Sequence, residues 1–311
     1  MNKLILGLLV IISVAVVSVY VFIPKTLVVA TIIPINTNYK NADRFLSDSS
    51  KWVKWWPSSN NKDVKKVGIY KDVIFQIINK SYNNTQIRLV YKNDTTLANI
   101  AIADFVNQSI KVICEFSFDA GLNPITRIKQ YKTAVYLKQN LHDVFDSIKI
   151  FLEKPENVYG FKINSTMVKD TVLISTKKYF DHYPSTQEIY GLVGELRNHI
   201  KQTGGLETNA PMLNVTKDNN TTYKTMVAIP VNHTLPTTDK IDLKRMVVGR
   251  ILESDSVKGG ATTVDYSFKM FEQYFTDYKH TSPAIPFQLL VTDRDKTDSS
   301  KWITRFYYPI F

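Results

Sequence analysis

The chain has 311 residues and a formal net charge of +11, from 39 Lys and Arg against 28 Asp and Glu. Its 44% hydrophobic and 22% charged residues are an ordinary globular composition, which excludes a disordered or collagen-like chain, and the length suggests two domains. One cysteine, Cys114, excludes an intramolecular disulfide and a cysteine-rich zinc site. The basic residues are spread along the chain, so we expect a solvated basic surface and no nucleic-acid partner.

Residues 4–23 contain no charged side chain. At 1.5 Å per residue, a helix of this length spans about 30 Å, the thickness of a bilayer core. The segment ends before Pro24 without the small residues of a signal-peptide cleavage site. The sequence therefore predicts an uncleaved single-pass anchor in the cell membrane. Because only a short tail ending at Lys3 precedes it, we expect residues 25–311 to be extracytoplasmic, in the periplasm of a bacterium.

The segment after the anchor predicts a small α+β domain. β-Branched and apolar residues at 26–35 predict a strand, and helical spacing at 36–47 predicts a short helix. Short apolar runs from 67 to 131, the last at 125–131, predict an antiparallel meander. Residues 133–153 then carry an apolar stripe of period 3.6, which predicts a long amphipathic helix.

The segment 45–57, FLSDSSKWVKWWP, together with this element order, resembles the SRPBCC superfamily of START and polyketide cyclase-like proteins. The resemblance covers residues 26–153 and implies a helix-grip fold with a cavity for apolar small molecules and no catalytic residue common to the superfamily. We expect Trp52, Trp55 and Trp56 to line the mouth of that cavity. The alternative is that the three rings pack the short helices onto the sheet.

Residues 154–164 are typical of a linker, and the remainder contains two similar segments. The first predicts a strand at 168–179, a helix that begins with a Ser185–Glu188 capping box, and a strand at 222–229. The second segment repeats this order.

In that second segment, residues 243–252 predict a strand, an apolar stripe from Val264 to Tyr278 predicts a helix, and residues 302–308 predict the closing strand. Pro211 and Pro286 each open a short apolar run between helix and last strand. Two β-α-β-β units in tandem are the simplest interpretation.

The closing sequence, TDRDKTDSSKWITRFYYPI at 292–310, and the duplication resemble the GyrI-like effector-binding domain. The resemblance covers 165–311 and implies a groove, enclosed by the paired helices and the sheet, for small and often cationic aromatic ligands. In that family an acidic residue on the last strand pairs with the ligand. Here Arg305 takes that position, which favours a carboxylate or phosphate.

The candidate groove residues combine aromatic rings with this arginine. They are Arg305, Tyr307, Tyr190, Tyr266, Phe271 and Trp302. Glu195 and Glu272, on the two predicted helices, are possible partners of Arg305, with a solvated position as the alternative. For Phe271 the alternative is a place in the core.

The sequence contains none of the common catalytic or phosphate-binding motifs. The leading hypothesis is a membrane-anchored protein whose two modules bind small apolar or amphiphilic molecules without transforming them, with no cofactor and no metal. One alternative is a hydrolase or cyclase that acts on small hydrophobic or xenobiotic compounds. The other is a ligand sensor that signals to a partner protein.

Overall fold

The computed structural model describes residues 3–57, 67–82, 84–105, 109–218 and 221–311, which form an α+β fold. The chain divides into two compact units, Met1–Lys154 and Pro155–Phe311.

In the described residues, the first unit has one sheet, two short helices, one long helix and the N-terminal apolar helix. Its elements are α1 (Lys3–Phe22), β1 (Thr26–Ile35), α2 (Tyr39–Leu46), α3 (Ser49–Trp52), β2 (Gly68–Tyr70), β3 (Val73–Ser81), β4 (Asn84–Tyr91), β5 (Asp94–Phe105), β6 (Ser109–Asp119) and α4 (Pro124–Leu152). The six strands are antiparallel in the order β1-β6-β5-β4-β3-β2, and α4 packs chiefly against β1. This is a helix-grip arrangement.

Among the described residues, one helix, α1, is long and apolar enough to cross a membrane. Its segment Ile5–Phe22 has a mean hydropathy of 2.9, and none of that segment is buried in the protein. Most of this apolar surface is exposed, and near its C-terminal end Tyr20 contacts Leu122 and Arg127. The anchor stays a prediction that the helix geometry permits.

Helix α4 begins earlier than the sequence pattern indicates. The run 125–131, predicted as a strand, is its first part. The side chain of Asn123 accepts hydrogen bonds from the backbone N–H groups of Ile125 and Thr126 at 2.9 and 3.3 Å, and Pro124 occupies the first helical position. This cap and the proline fix the helix start, whereas a short apolar run alone fits either structure.

The second unit contains one larger sheet and three helices. Its elements are α5 (Pro155–Tyr159), β7 (Ile163–Met167), β8 (Val172–Phe180), α6 (Thr186–Gln202), β9 (Met212–Lys217), β10 (Tyr223–Pro230), β11 (Asp242–Arg245), β12 (Arg250–Ser254), β13 (Val257–Lys258), α7 (Ala261–Asp277), β14 (Phe287–Leu290) and β15 (Ile303–Ile310). The strand order is β11-β8-β10-β9-β14-β15-β12-β7, with β13 beside β15, and every pair is antiparallel.

This order is symmetric about the contact between β9 and β14, as a tandem duplication requires. The outer strands are exchanged: β7 precedes the first half in the chain but pairs with β12 of the second, and β11 precedes the second half but pairs with β8 of the first. The predicted single strand at 243–252 is therefore two strands, β11 and β12, with different partners. Gly249, at a φ of 154°, lies between them.

The segment expected as a linker, 154–164, carries α5 and the start of β7. The Tyr159 hydroxyl donates to Asp277 Oδ2 of α7 at 3.0 Å, and the Tyr159 ring meets that of Tyr274 edge-on at 5.2 Å. Most of this segment is thus built into the second unit.

The sheet of the second unit is apolar on both faces. On one face α6 and α7 pack through their buried stripes, and the capping box at Ser185 is present as predicted. The other face carries a separate buried cluster, formed by Leu173, Met212, Ala228, Ile251, Phe287 and Leu289. Alternation along the strands produces the two faces: on β15, Phe306 packs towards α7, whereas its neighbours Arg305 and Tyr307 point to the second face.

We predict that Gly68→Ala destabilises the first unit. A β-carbon at Gly68 would overlap the buried ring of Trp56. Forcing this extra atom into a packed core lowers the free energy of unfolding by about 1–3 kcal/mol. Tryptophan fluorescence during urea unfolding measures it, because Trp52, Trp55 and Trp56 all report on this unit.

Gly194→Ala on α6 is the matched control, because a β-carbon there meets no atom within 4 Å. In a helix interior this change raises stability by about 1 kcal/mol. Equal stability of the Gly68→Ala variant and the unmodified protein would contradict the packing around Trp56.

Candidate functional site

A cavity of about 200 Å³ lies on the second face of the sheet, away from α6 and α7. Strands β7, β9, β12, β14 and β15 supply most of its walls. These strands come from both halves of the duplication, so the cavity exists only when the two halves form one sheet. Three of its side chains, Glu253, Arg305 and Tyr307, form a polar cluster at one side.

The polar cluster is centred on one carboxylate oxygen. Glu253 Oε1 accepts from Arg305 Nη1 at 3.0 Å and from the Tyr307 hydroxyl at 2.5 Å. Arg305 Nε also donates to Ser256 Oγ at 3.1 Å. The register of β12 and β15 explains the contact, because Glu253 and Tyr307 are directly paired across the two strands.

Burial and the nearby carboxylate shift the ionisation of this cluster. Burial first, and then the hydrogen bond to Glu253, raise the pKa of Tyr307 to about 12. The Tyr307 oxygen and the Glu253 carboxylate both raise the pKa of Arg305. At neutral pH the site therefore holds a protonated phenol and a charged guanidinium on one carboxylate.

The floor of the cavity is apolar. Met212, Met246, Ile251 and Leu289 line it, and the ring of Phe287 stacks on that of Tyr307 with centroids 5.1 Å apart and planes 8° apart. Methionine side chains adapt their shape to different partners, and a stacked aromatic pair offers a flat wall.

The rim of the cavity follows β7 and the turn after it. Lys169 and Asp170 lie there, and Asn209 Nδ2 donates to Asp170 Oδ2 at 2.8 Å. With Glu253 and Arg305, the lining contains two acidic and two basic residues, so its formal charge is zero. The cavity therefore presents placed hydrogen-bonding groups rather than an excess of one charge.

Of the six predicted groove residues, the structure brings Arg305 and Tyr307 into this cavity. Tyr190 and Trp302 lie elsewhere and use their polar atoms within the chain. The Tyr190 hydroxyl donates to the Thr292 carbonyl at 3.2 Å, and Trp302 Nε1 donates to the Thr297 carbonyl at 2.9 Å.

The other two predicted groove residues lie on α7. Phe271 is fully buried in the core beneath Phe306, and Tyr266 is 64% exposed. The predicted aromatic box between helices and sheet is therefore not assembled by these four side chains. The cavity that contains Arg305 and Tyr307 lies on the opposite face.

Glu253 is not among the residues predicted from the sequence. Glu195 and Glu272, the predicted partners of Arg305, are exposed on α6 and α7, on the other side of the sheet. The partner is Glu253 of β12, one residue beyond the strand predicted at 243–252. The alternation of residues along the strand indicates that Ile251 and Glu253 share one face and that Leu252 is on the other. Which residue lies next to Arg305 depends on how the strands pair, and the sequence does not show that pairing.

The tryptophans of the first unit are part of its core. Trp52, Trp55 and Trp56 are buried, and each indole N–H donates to a backbone carbonyl at 2.8 to 3.1 Å. The rings of Trp52 and Trp56 stack with centroids 4.9 Å apart. The rings pack the short helices onto the sheet, and their N–H groups are used within the chain. That they also line a ligand cavity stays a prediction.

No known protein family and no curated protein matches the sequence. Among solved structures, the C-terminal domain of EcmrR is similar at 13% identity over 49% of this chain and 98% of its own, with a TM-score of 0.42. SAV2435 bound to tetraphenylphosphonium is similar at 13% identity over 48% and 94%, with a TM-score of 0.32. A hydrolase from Listeria innocua is similar at 10% identity over 48% and 92%, with a TM-score of 0.36. At such identities the assignment of a ligand depends on the side chains of this chain's own cavity.

We predict that Glu253→Gln lowers the pKa of Tyr307. The carboxylate disfavours the phenolate, so its loss moves this pKa from about 12 towards the ordinary value of 10. Burial is the larger cause, so the pKa stays above 10. The pKa of Tyr307 is higher in the folded protein than its ordinary value of 10. Its hydrogen bond to Glu253 therefore contributes fully to the free energy of unfolding below pH 10, and this contribution is lost as the pH rises through about 12.

Titration of the tyrosine ring carbons by NMR measures this shift, with Tyr307→Phe to assign the signal. Glu195→Gln is the matched control, because Glu195 is exposed on α6. An unchanged Tyr307 pKa in Glu253→Gln would contradict the hydrogen bond.

Proposed function

We propose that the protein binds a small organic molecule in the sheet-face cavity of its second unit and does not transform it. The Glu253–Arg305–Tyr307 cluster at the edge of an apolar cavity carries this proposal. An apolar concavity with a few convergent polar groups is typical of small-molecule sites.

The dimensions of the cavity support a small ligand. A molecule of liquid water occupies about 30 Å³, so a cavity of about 200 Å³ holds on the order of ten non-hydrogen atoms. An aromatic or otherwise flat body fits against the stacked Phe287 and Tyr307 rings, with Met212 and Met246 beside it.

The hydrogen-bonding capacity of Arg305 supports an acceptor group on that ligand. A guanidinium carries five N–H donors, and among the described residues three partners, Glu253, Ser256 and the Tyr307 oxygen, take up part of this capacity. The Arg305 side chain is 44% exposed, so the remaining donors are accessible from the cavity. A carboxylate or phosphate monoester on the ligand satisfies them with charge-assisted bonds.

The same contacts favour binding over catalysis. Glu253 is held by two donors at one oxygen, and Asp170 accepts from Asn209. A general base has to be within hydrogen-bond reach of the proton that it abstracts, whereas these carboxylates already accept hydrogen bonds from neighbouring side chains.

We further propose that α1 anchors the protein in the cell membrane, with the rest of the chain in the periplasm. The largely exposed apolar surface of Ile5–Phe22 supports the anchor. The basic Lys3, at the start of α1 and ahead of this apolar segment, supports the orientation. Ligand capture would then take place next to the membrane.

We predict that Arg305→Ala and Glu253→Gln change ligand affinity in opposite directions. For aromatic carboxylates and phosphate monoesters, such as benzoate and phenyl phosphate, Arg305→Ala weakens binding by about tenfold or more. Glu253→Gln strengthens binding, because it removes the carboxylate that competes for Arg305. Isothermal titration calorimetry of the purified protein measures both.

Arg250→Ala is the matched control, because Arg250 is an exposed arginine on β12 that does not line the cavity. If both cavity variants bind every compound like the unmodified protein, the cavity is not the ligand site. If Arg305→Ala strengthens the binding of these anionic compounds and Glu253→Gln weakens it, Arg305 is not their partner in the cavity.

We predict that protease added to intact spheroplasts degrades the two folded units. Both units follow α1 in the chain, so an anchor with its N-terminus in the cytoplasm exposes them outside. Immunoblotting against the C-terminus measures the loss. Protection in spheroplasts with degradation after lysis would reverse the orientation.

A further inference from the structure

The end of the first unit next to α1 exposes large apolar side chains. Leu122, in the turn between β6 and α4, is 76% exposed, and Ile125, in the first turn of α4, is 78% exposed. Ile128, one turn further, is 37% exposed. Adjacent exposed aliphatic residues of this size usually mark a surface that contacts a partner or a membrane.

These residues lie beside the end of the apolar helix. The Tyr20 hydroxyl donates to the Leu122 carbonyl at 2.6 Å, and the Arg127 guanidinium lies 4.7 Å from the centre of the Tyr20 ring. The backbone N–H of Ala120 donates to the Lys25 carbonyl at 2.7 Å. Tyrosine in the last turn of a membrane-spanning helix lies at the depth of the lipid headgroups. Leu122 and Ile125 are therefore placed at the same depth.

A basic groove begins at this apolar surface. It runs between the β4–β5 turn and the first half of α4, has a volume of about 610 Å³, and is lined at one end by Ile125 and Ile128. Lys92, Lys129 and Lys132 are among the residues that line the rest, with Tyr91, Asn93, Asp94, Thr133 and Tyr136. We call it the lysine groove.

The lysine groove carries an excess of positive charge. Its three lysines and one aspartate, Asp94, give a formal charge of +2, and Asp94 accepts from Gln130 Nε2 at 3.3 Å. Lys92 lies at the tip of the two-residue turn with its Nζ 5.0 Å from the centre of the Tyr91 ring. Three ammonium groups around one groove match the charge and the hydrogen-bond acceptors of a phosphate group.

We propose that this end of the first unit rests on the bilayer that holds α1, and that the lysine groove binds the phosphate headgroup of an anionic phospholipid. Leu122 and Ile125 insert among the glycerol and upper acyl groups. Lys92, Lys129 and Lys132 contact the phosphate headgroup. Ile125 and Ile128, at the end of the groove, contact the part of the same lipid next to its headgroup. The inference rests on the proposed anchor, since α1 defines where the membrane lies.

The first test measures insertion with the full-length protein in vesicles of phosphatidylcholine containing phosphatidylglycerol. An Ile125→Cys variant carries an environment-sensitive fluorophore. Cys114 does not compete for the label, because it is fully buried and burial raises the pKa of its thiol. We expect a blue-shifted emission that spin-labelled lipids quench.

Ile150→Cys is the matched control, because Ile150 is 62% exposed near the other end of the same helix. Its label is expected to show the emission of a solvated probe. If the protein does not co-float with the vesicles, the proposed anchor fails. If it co-floats but the two labels behave alike, the anchor holds and the seating of the first unit on the membrane is wrong.

The second test concerns the lysine groove. The double variant Lys129→Gln and Lys132→Gln, in nanodiscs of mixed lipid, is expected to lose about tenfold of its preference for phosphatidylglycerol over phosphatidylcholine, measured by native mass spectrometry of retained lipids. The control double variant, Lys138→Gln and Lys149→Gln, changes two lysines of α4 outside the groove and keeps the preference. Equal preference in both double variants would overturn the headgroup site. Displacement of the lipid by inorganic phosphate alone would also overturn it, because the site would then select free phosphate.

Discussion

The antiparallel contact between β9 and β14 makes one sheet from two β-α-β-β units, and the second unit depends on it. Leu213 pairs with Gln288, and Met212 with Leu289, so the contact is short. The exchanged outer strands β7 and β11 strengthen it, because each crosses to the half that it does not belong to in sequence. Helices α6 and α7 cover only one face of this sheet. The other face is apolar and partly open, and it contains the cavity.

A polar cluster on that apolar face is costly unless its members bind one another. Glu253, Arg305 and Tyr307 meet this condition through direct hydrogen bonds, in a geometry fixed by strand register rather than by flexible loops. A site built on paired strands is pre-organised, so a ligand does not have to order it. At the same time, Arg305 remains accessible enough to exchange or share its partner.

The first unit differs from the second in how its polar groups and its exposed apolar residues are arranged. Its core contains the stacked tryptophans and one face of α4, and the three indole N–H groups donate to backbone carbonyls. Leu122, Ile125 and the lysine groove lie together at the end that adjoins α1. The two units therefore present different surfaces: a partly open cavity, in which we propose that a small molecule binds, and an amphipathic end, which we propose rests on a membrane.

The sequence by itself determined the features that depend on neighbouring residues. These include the apolar helix, the strand at 26–35, the stripe of α4, the capping box at Ser185 and the tandem duplication, because periodicity and caps are local. It also indicated Arg305 and Tyr307 as candidate groove residues, and both lie in one cavity. The start of α4 was missed because a short apolar run fits both a strand and a helix until its cap is seen. Only the tertiary structure decided that Glu253 is the partner of Arg305 and that the cavity lies away from the helices, since both follow from which strands pair and in what register.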